Sequence, residues 1–317
     1  MTPNSMMHAV LAHGSDPTSL TYETLPRPRP DPGEVLVAVH ATAVTAGELT
    51  WPETWPVIPA HDVSGVAADL GEGVTDIHVG DEVYGLIGFD RPGAAAEYVA
   101  VPATDLAAKP ATADHFATAT LPLGGLTAWQ ALIDHAQLEE GQHVLVHGGA
   151  GGVGTYAVQL AVHLGANVTA TASAADADFV TGLGASSVID YTSRFEEQVA
   201  DVDVVFDTVG RDTLARSWQV LRAGGLLISV ADEPPAEAAA TRGVRGLYFV
   251  VEPNRDQLIE LARLVDLGAL RLTVGPVFPL ADTAAAITTQ RDSHIRGKVV
   301  IQVQPPHDGG IATTSAP

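Results

Sequence analysis

The sequence predicts an α/β protein, a doubly wound parallel sheet joined to a second, β-rich unit, and three observations carry the prediction. Residues 7 to 104 break into short apolar runs, several alternating with period two and punctuated by Gly, Pro and Asp, which is the texture of an all-β unit. From His143 onward, near-continuous apolar runs alternate with helix-length patterns in a βαβαβ rhythm, as in a parallel sheet covered on both faces. The stretch "LVHGGAGGVGTYAVQLA", residues 145 to 161, passes from a strand pattern to a helix pattern through five glycines.

The β-rich unit reads as the strands "HAVLAH", "LTYETL", "GEVLVAVHATAV", "VSGVAADL", "GDEVYGL" and "AAEYVAVP". From about Asp114 the pattern becomes helical, and "HFATATLPLGGLTAWQALIDHA" predicts a helix, a tight Pro-Gly break and a second helix ending before "LEEGQ". The strand "HVLVHG" then leads to a helix over residues 152 to 164, "NVTATA" to a helix near 175 to 183, and "SVID" to a helix near 193 to 200. "VDVVFDTV" leads to a helix near 211 to 221, and "GGLLISVA" follows it. After "GLYFVV", the apolar positions of "NRDQLIELARLVDLG" recur at helical spacing; then come "TVGPVFPL", a last helix, and "GKVVIQV", a strand expected to return and complete the first unit. The closing "PPHDGGIATTSAP" is rich in Pro, Gly and Ser/Thr without apolar periodicity and reads as a disordered tail.

Composition narrows the function. A chain of 317 residues, 46% of them hydrophobic, can bury two cores. Its formal net charge of −22, with Lys109 and Lys298 as the two lysines, disfavours nucleic acid and anionic membranes as partners. No window has the roughly 18 apolar residues of a membrane span, and the start "MTPNSMMHAV" lacks the basic and apolar regions of a leader, so a cytoplasmic location is the default expectation. The absence of cysteine excludes disulfides, thiolate nucleophiles and every cysteine-ligated zinc site. An anionic ligand must therefore find local backbone donors and a few arginines.

The glycine stretch offers such donors. Gly149, Ala150, Gly151, Gly152, Val153 and Gly154 satisfy a G-x-G-x-x-G spacing directly after a strand and at the start of a helix, inside a βαβ unit. The first glycine permits the tight turn, the second lets backbone approach a pyrophosphate, and the third lets helix pack on strand. The helix start adds unpaired N–H groups and about half a unit of positive charge. The alternative is a turn that only connects strand to helix. About twenty residues on, where an acidic residue would hold the ribose 2′-hydroxyl of NAD, stands Thr171 with Ser173 just beyond. Small hydroxyl side chains leave room for a 2′-phosphate and favour NADPH over NADH, while Asp176, Asp178 and the lack of an adjacent lysine argue the other way.

With these residues in hand, the chain resembles the medium-chain dehydrogenase/reductases, specifically the zinc-independent, ζ-crystallin-like quinone oxidoreductases. The likeness covers about residues 7 to 304 and rests on "IPAHDVSGVAADLGEGVTDIHVGDEVYGL", "LPLGGLTAWQAL", "VLVHGGAGGVGTYAVQLA", "LGASSVIDY", "VDVVFDTVG", "LRAGGLLISV" and "HIRGKVVIQV", in that order. It implies a GroES-like catalytic domain over residues 1–121, a Rossmann domain over 122–264, a return segment over 265–304, and the tail at 305–317. The active site would lie in the cleft between the domains.

The resemblance also implies site residues. Where many quinone reductases carry Asn-Pro-x-Asp, this chain has Thr45, Ala46 and Glu48, so that Thr45 is a candidate donor to a substrate carbonyl or, with Glu48, a loop residue without chemical duty. Thr127 matches a threonine at the nicotinamide end of the cleft, or serves as a helix cap. Tyr191 matches a tyrosine at the adenosine 2′-phosphate, or is a sheet-edge aromatic; Arg194, Arg296 and Lys298 would add positive charge there or be solvated. Val230, Phe249 and Val251 match cofactor-lining segments, with Phe249 and Val251 also reading as buried strand positions. One ring of Trp51 or Trp55 is expected to wall the substrate cleft, loop packing being the alternative. His61 and Asp62 fall where relatives carry a metal-binding histidine; without cysteine a hydrogen-bonded structural histidine is expected, and no zinc.

The implied activity is zinc-independent, NADPH-dependent hydride transfer to a quinone or to the β-carbon of an α,β-unsaturated carbonyl. An enoyl or alkenal reductase dedicated to one biosynthetic intermediate is the alternative enzyme. An NADPH-binding structural or regulatory protein without turnover is the alternative of another class. The resemblance further suggests a homodimer through sheet-edge pairing near residues 245 to 251.

Overall fold

A computed structural model describes residues 5 to 304. The segment 305 to 317, read from the sequence as a tail, lies outside them. The β-rich part comprises β1 (Met6–Ala12), β2 (Leu20–Pro26), β3 (Glu34–Ala43), β4 (Asp62–Leu70), β5 (Glu82–Leu86), β6 (Tyr98–Pro102) and β7 (Leu106–Ala108), followed by α1 (His115–Thr118) and α2 (Pro122–Trp129). Strands and helices then alternate as β8 (His143–His147), α3 (Gly154–His163), β9 (Asn167–Ala172), α4 (Ala177–Gly182), β10 (Ser187–Asp190), β11 (Val202–Asp207), α5 (Arg211–Ser217), β12 (Leu221–Ser229), α6 (Ala236–Arg242) and β13 (Arg245–Tyr248). The chain returns through α7 (Arg255–Asp266), β14 (Val274–Pro279), α8 (Thr283–Asp292) and β15 (Lys298–Gln302).

β8 to β13 form a six-stranded sheet in the order β10-β9-β8-β11-β12-β13, every neighbouring pair parallel. The order reverses beside β8, and at such a switch point the loops leaving neighbouring strands diverge and open a crevice at their carboxyl ends. Strands sandwiched between helices cannot afford a polar face. Accordingly Val144, Leu145 and Val146 of β8 and Val205 and Phe206 of β11 are fully shielded on successive positions, which places alternate side chains in both layers.

The second sheet has seven strands, in the order β14-β15-β3-β4-β5-β7, with β6 also paired to β3. β3 is buried almost along its whole length because β4, β6 and β15 all pair with it. Val35, Val37, Val39, Val63, Val83 and Val101 fill the core between these strands. β14 and β15 come from the C-terminal segment, so the last strands of the chain complete the sheet that its early strands begin.

Several elements differ from the sequence reading for physical reasons. The helix expected near 193 to 200 is a single 3₁₀ turn over Phe195–Glu197, anchored by buried Phe195. Residues 174 to 176 form a 3₁₀ turn before α4, because Ser173 leaves β9 extended and its hydroxyl bonds Asp176. The helix after the Pro-Gly break continues from α2 into a widened π-helical turn over Gln130–His135. α6 was not anticipated.

Two glycine contacts set the distances around the cleft. A Cβ on Gly124 would lie 2.9 Å from the Tyr156 ring and against the Gly152 carbonyl, so a bare position here lets α2 lie directly on the start of α3. Gly297, at φ +69°, turns the return segment so that its N–H donates to the Ala150 carbonyl at 2.9 Å. The glycine loop is thereby pinned to the residue that precedes β15. No described helix is long and apolar enough to cross a membrane.

Candidate active site

A cleft of about 1260 Å³ lies along the carboxyl ends of the parallel strands and is closed on its other side by the β-rich part. Gly148, Thr171 to Ser173, Thr208 and Val209, Val230 to Asp232, and Tyr248 to Val251 line the first side; Thr45, Trp51, Phe89, Leu123 and Thr127 line the second. The glycine loop crosses between them.

The loop is shaped from within. Gly148 sits at φ +74° and donates to Thr171 Oγ1 at 3.2 Å, while Gly149 donates to the Thr171 carbonyl at 2.8 Å. A Cβ on Gly154 would drive into the Gly148 carbonyl, and one on Gly149 would meet Ala170 Cβ at 2.9 Å. Gly149 and Gly154 therefore serve packing, whereas Ala150, Gly151, Gly152 and Val153 line the cleft. Among the described residues the N–H groups of Val153 and Gly154 have no protein acceptor, whereas the Gly152 N–H faces the Gly297 carbonyl in the parallel bridge between Gly151 and Gly297. Two unpaired donors at the start of a ten-residue helix form a cradle for an anion, which is the fit a dinucleotide pyrophosphate requires.

At the far end of the cleft stand Ser173, Asp176, Tyr191 and His294. The Ser173 hydroxyl donates to Asp176 Oδ2 at 2.6 Å, and Arg296 Nε donates to Asp176 Oδ1 at 2.6 Å with its guanidinium over the Phe179 ring. Tyr191 and His294 approach to 3.5 Å between Oη and Nε2. Thr171 lines the cleft but is only 3% exposed, and its hydroxyl is held by Gly148 and by His147 Nδ1 at 3.1 Å. Burial pushes His147 down to about 3, with Arg216 adding to the effect, so the ring is a neutral bridge from Thr171 to Ser217. Arg194 pairs instead with Glu196 and Glu197.

The opposite end is built on a buried charge cluster. Asp62, fully buried at the start of β4, accepts from the Leu123 N–H at 2.6 Å and from Lys298 Nζ. Lys298 also donates to Thr45 Oγ1 at 2.9 Å. Its stem runs over the glycine loop, where a Cβ on Gly152 would meet Lys298 Cγ at 2.7 Å. Lys298 thus lies at this end of the cleft, bound to Asp62 and Thr45, and not beside Tyr191 and Ser173. Glu48 holds the Thr45 loop: its N–H donates to the Thr45 carbonyl at 3.2 Å, and its Oε2 accepts from the Thr45 N–H at 2.9 Å. Burial pushes the Glu48 carboxyl up to about 7, against the pull of the Thr45 N–H and the Lys298 ammonium. Burial also raises Asp62, with Lys298 opposing it.

Trp51 and Phe89 meet edge-on at 5.1 Å, and Phe89 packs against His61 at the same spacing, forming an aromatic wall next to Thr45. Trp55 does not line the cleft; its ring packs against the core around Val10, Val44 and Leu280. Thr127 does line it, but its hydroxyl donates to the Leu123 carbonyl at 2.6 Å, which leaves lone pairs and no proton for the cleft. Phe249 lines the cleft while packing on His135 at 4.7 Å, and Val251 is buried beside it. His61 Nδ1 is 3.2 Å from the Ile87 carbonyl oxygen, and burial lowers the ring's basicity. Among the described residues no group of three His, Asp or Glu side chains is placed to hold a metal ion.

This architecture has counterparts among known proteins. The family model of an alcohol dehydrogenase GroES-like domain matches residues 31–111, and that of a zinc-binding dehydrogenase matches 183–301. A probable mitochondrial zinc-binding oxidoreductase of Arthroderma benhamiae is 34% identical over 312 residues, covering 90% of this chain and 94% of that one. The chain belongs to the medium-chain dehydrogenase/reductase superfamily. Within it, a chloroplastic NADPH-dependent alkenal/one oxidoreductase of Arabidopsis thaliana is 36% identical over 259 residues, 78% of this chain and 64% of that one. The solved quinone oxidoreductase from Coxiella burnetii superposes with a TM-score of 0.89 at 30% identity, over 94% of this chain and all of that one.

A medium-chain fold brings further residues to the cleft that the sequence reading did not name. Thr208, Val209, Ala231 and Asp232 follow β11 and β12, and Arg211 opens α5. The rule that ligands bind beyond the carboxyl ends of parallel strands would have found them from the strand boundaries alone. Phe89 and His294 had no such signal, since both reach the cleft from loops far away in sequence.

Proposed function

We propose that the protein is an NADPH-dependent reductase of quinones or α,β-unsaturated carbonyls that works without a catalytic metal. The observation that carries the reading is the continuity of one cleft from the unpaired N–H groups of Val153 and Gly154 to the Thr45 hydroxyl beside an aromatic wall. The relatives' names point the same way, and the absence of cysteine removes the usual ligands of a catalytic zinc.

A bound nicotinamide supplies hydride to an electron-poor carbon; the chain supplies binding, orientation and electrostatics. In this reading the N–H cradle and the positive end of α3 hold the pyrophosphate, offsetting the net charge of −22 locally. Ser173 and Tyr191 take the adenosine end. Thr127 offers acceptor lone pairs, and Val230, Phe249 and Val251 give apolar contact along the nicotinamide end. Trp51 and Phe89 keep water from the substrate, and Thr45 donates to its carbonyl oxygen as negative charge develops there. The final proton comes from Thr45 or from water.

Anaerobic titration with NADPH and a panel of quinones and enones tests the reading: saturable binding with oxidation by at least one acceptor class is expected, and binding without any oxidation would sink it. We also propose a homodimer, because β13 ends the six-stranded sheet and Tyr248 and Val250 are exposed beside that edge. A monomer mass in sedimentation at micromolar concentration would refute that part alone.

A further inference from the structure

We propose that Lys298 is a positioning residue for carbonyl reduction: its ammonium commits Thr45 to donate into the cleft and sets a positive charge one atom behind the substrate oxygen. The inference rests on the reductase reading above and deepens it.

An ammonium group has three donors and no acceptor, whereas a threonine hydroxyl has one donor and two lone pairs. Lys298 Nζ is 2.9 Å from Thr45 Oγ1, so the lysine must donate and the threonine must accept. That bond occupies a lone pair of Thr45 and turns its own O–H away from the lysine. Among the described residues nothing accepts a hydrogen bond from this hydroxyl, and Thr45 lines the cleft. The proton is therefore directed to a ligand, and the ligand group it can satisfy is an acceptor such as a carbonyl oxygen or an oxyanion.

The setting strengthens that donor. Lys298 is 2% exposed, so water and salt screen its charge weakly. A second of its protons goes to Asp62, which is itself fixed by the Leu123 N–H. Glu48 holds the Thr45 backbone from the other side. A hydroxyl polarised by a buried ammonium and fixed in direction before substrate arrives is a preorganised donor for developing negative charge. Gly152 is part of the device, since a side chain there would displace the lysine stem.

Enones and strongly oxidising quinones separate this role from a structural one. An enone accepts hydride poorly unless its oxygen is stabilised, whereas 1,4-benzoquinone needs little help. The paired variant Asp62→Asn with Lys298→Met avoids a lone buried charge and keeps an acceptor for Leu123. This pair and Thr45→Val are each expected to lower kcat with 2-cyclohexenone by about a hundredfold. With 1,4-benzoquinone both should lose at least about tenfold less than with the enone, and Thr45→Ser should retain enone reduction. Equal losses with both acceptors, or undiminished enone reduction in Thr45→Val, would overturn the proposal. A second readout needs no turnover. The parent should bind 4-nitrophenol as its phenolate, seen by the visible absorbance band, and both sets of variants should lose that band; its absence from the parent complex also overturns the proposal. A parent that binds the phenolate but oxidises NADPH with neither acceptor would leave the oxyanion site standing and refute the reductase reading instead.

Discussion

The Asp62 carboxylate and the Lys298 ammonium meet across 236 residues of chain, with 0% and 3% of their side chains exposed. Asp62 opens β4 and also holds the first turn of α2; Lys298 opens β15 and lies over the glycine loop. One ion pair therefore joins the β-rich sheet, the helix that leaves it and the loop of the parallel-sheet part. Burying two charges carries a large desolvation cost, so the pair is better understood as fixing geometry than as adding stability.

Breaking it one-sidedly should be expensive. Asp62→Asn or Lys298→Met alone is expected to cost about 3–5 kcal/mol, because each leaves an uncompensated buried charge. The combined Asp62→Asn, Lys298→Met variant should cost clearly less than the sum of the two single losses. Urea titrations of the parent, the single variants and the pair measure the coupling. Additive losses would mean that the two charges do not depend on each other.

Glu48 predicts a pH dependence of opposite sign to that of an ordinary carboxylate. Its folded value of about 7 lies above the ordinary 4.5, so between those values the folded chain keeps a proton that the unfolded chain releases. Stability therefore falls as pH rises from about 4.5 to 7, by about 3 kcal/mol for this group, and its contribution levels off above 7. Glu48→Gln retains an acceptor for the Thr45 N–H and removes the titration. Denaturation of both proteins at pH 5, 6, 7 and 8 should show the variant's relative stability rising over that range; parallel curves would refute the assignment.

The parallel-sheet fold was legible because each of its elements has a local signature: apolar runs for β8, β9, β11 and β12, and five glycines between β8 and α3. The cradle of backbone donors was legible for the same reason. What the sequence could not reveal is the partner of each polar side chain. Lys298 read as a charge for the far phosphate, because nothing in "RGKVV" shows that Gly297 turns the chain onto the glycine loop and aims the lysine at Asp62 and Thr45. Thr127 read as a residue of the nicotinamide end or a helix cap, and neither reading includes the bond that a hydroxyl inside a helix readily makes to the carbonyl four residues back, as it does here. Trp51 and Trp55 are indistinguishable by pattern, and long-range packing alone sends one ring to the cleft and the other to a core.

The glycine loop should separate binding from folding. A Cβ on Gly151 would lie 3.3 Å from the Gly148 carbonyl, a tight but tolerable fit, while facing the cleft. Gly151→Ala is therefore expected to weaken NADPH binding by about tenfold or more with a small change in stability, since the second glycine of the pattern serves close approach to pyrophosphate. Gly154→Ala would force its methyl into the Gly148 carbonyl and should cost about 1–3 kcal/mol of stability. Fluorescence titration with NADPH and thermal unfolding of both variants check the split; a Gly151→Ala protein with parental affinity would remove Gly151 from the binding surface.

The choice between NADPH and NADH should turn on Ser173 more than on Thr171. β9 runs to Ala172, so Ser173 is the first residue beyond the strand, where its hydroxyl and the Arg296 guanidinium both donate to Asp176. A 2′-phosphate arriving here can take over those donors, whereas the Thr171 hydroxyl is already bound within the fold by His147 and Gly148. Ser173→Asp replaces a donor with a carboxylate, which repels a phosphate dianion and can accept from an unmodified ribose. Its KM for NADPH is expected to rise by about tenfold or more, equivalent to about 1.4 kcal/mol, with the KM for NADH unchanged or lower. Thr171→Asp should instead lower the melting temperature, by burying a carboxylate and breaking the contact to His147, without a selective change between the two cofactors. The reverse pattern, a cofactor switch in Thr171→Asp and none in Ser173→Asp, would move the phosphate subsite back inside the strand and require β9 to open when the cofactor binds.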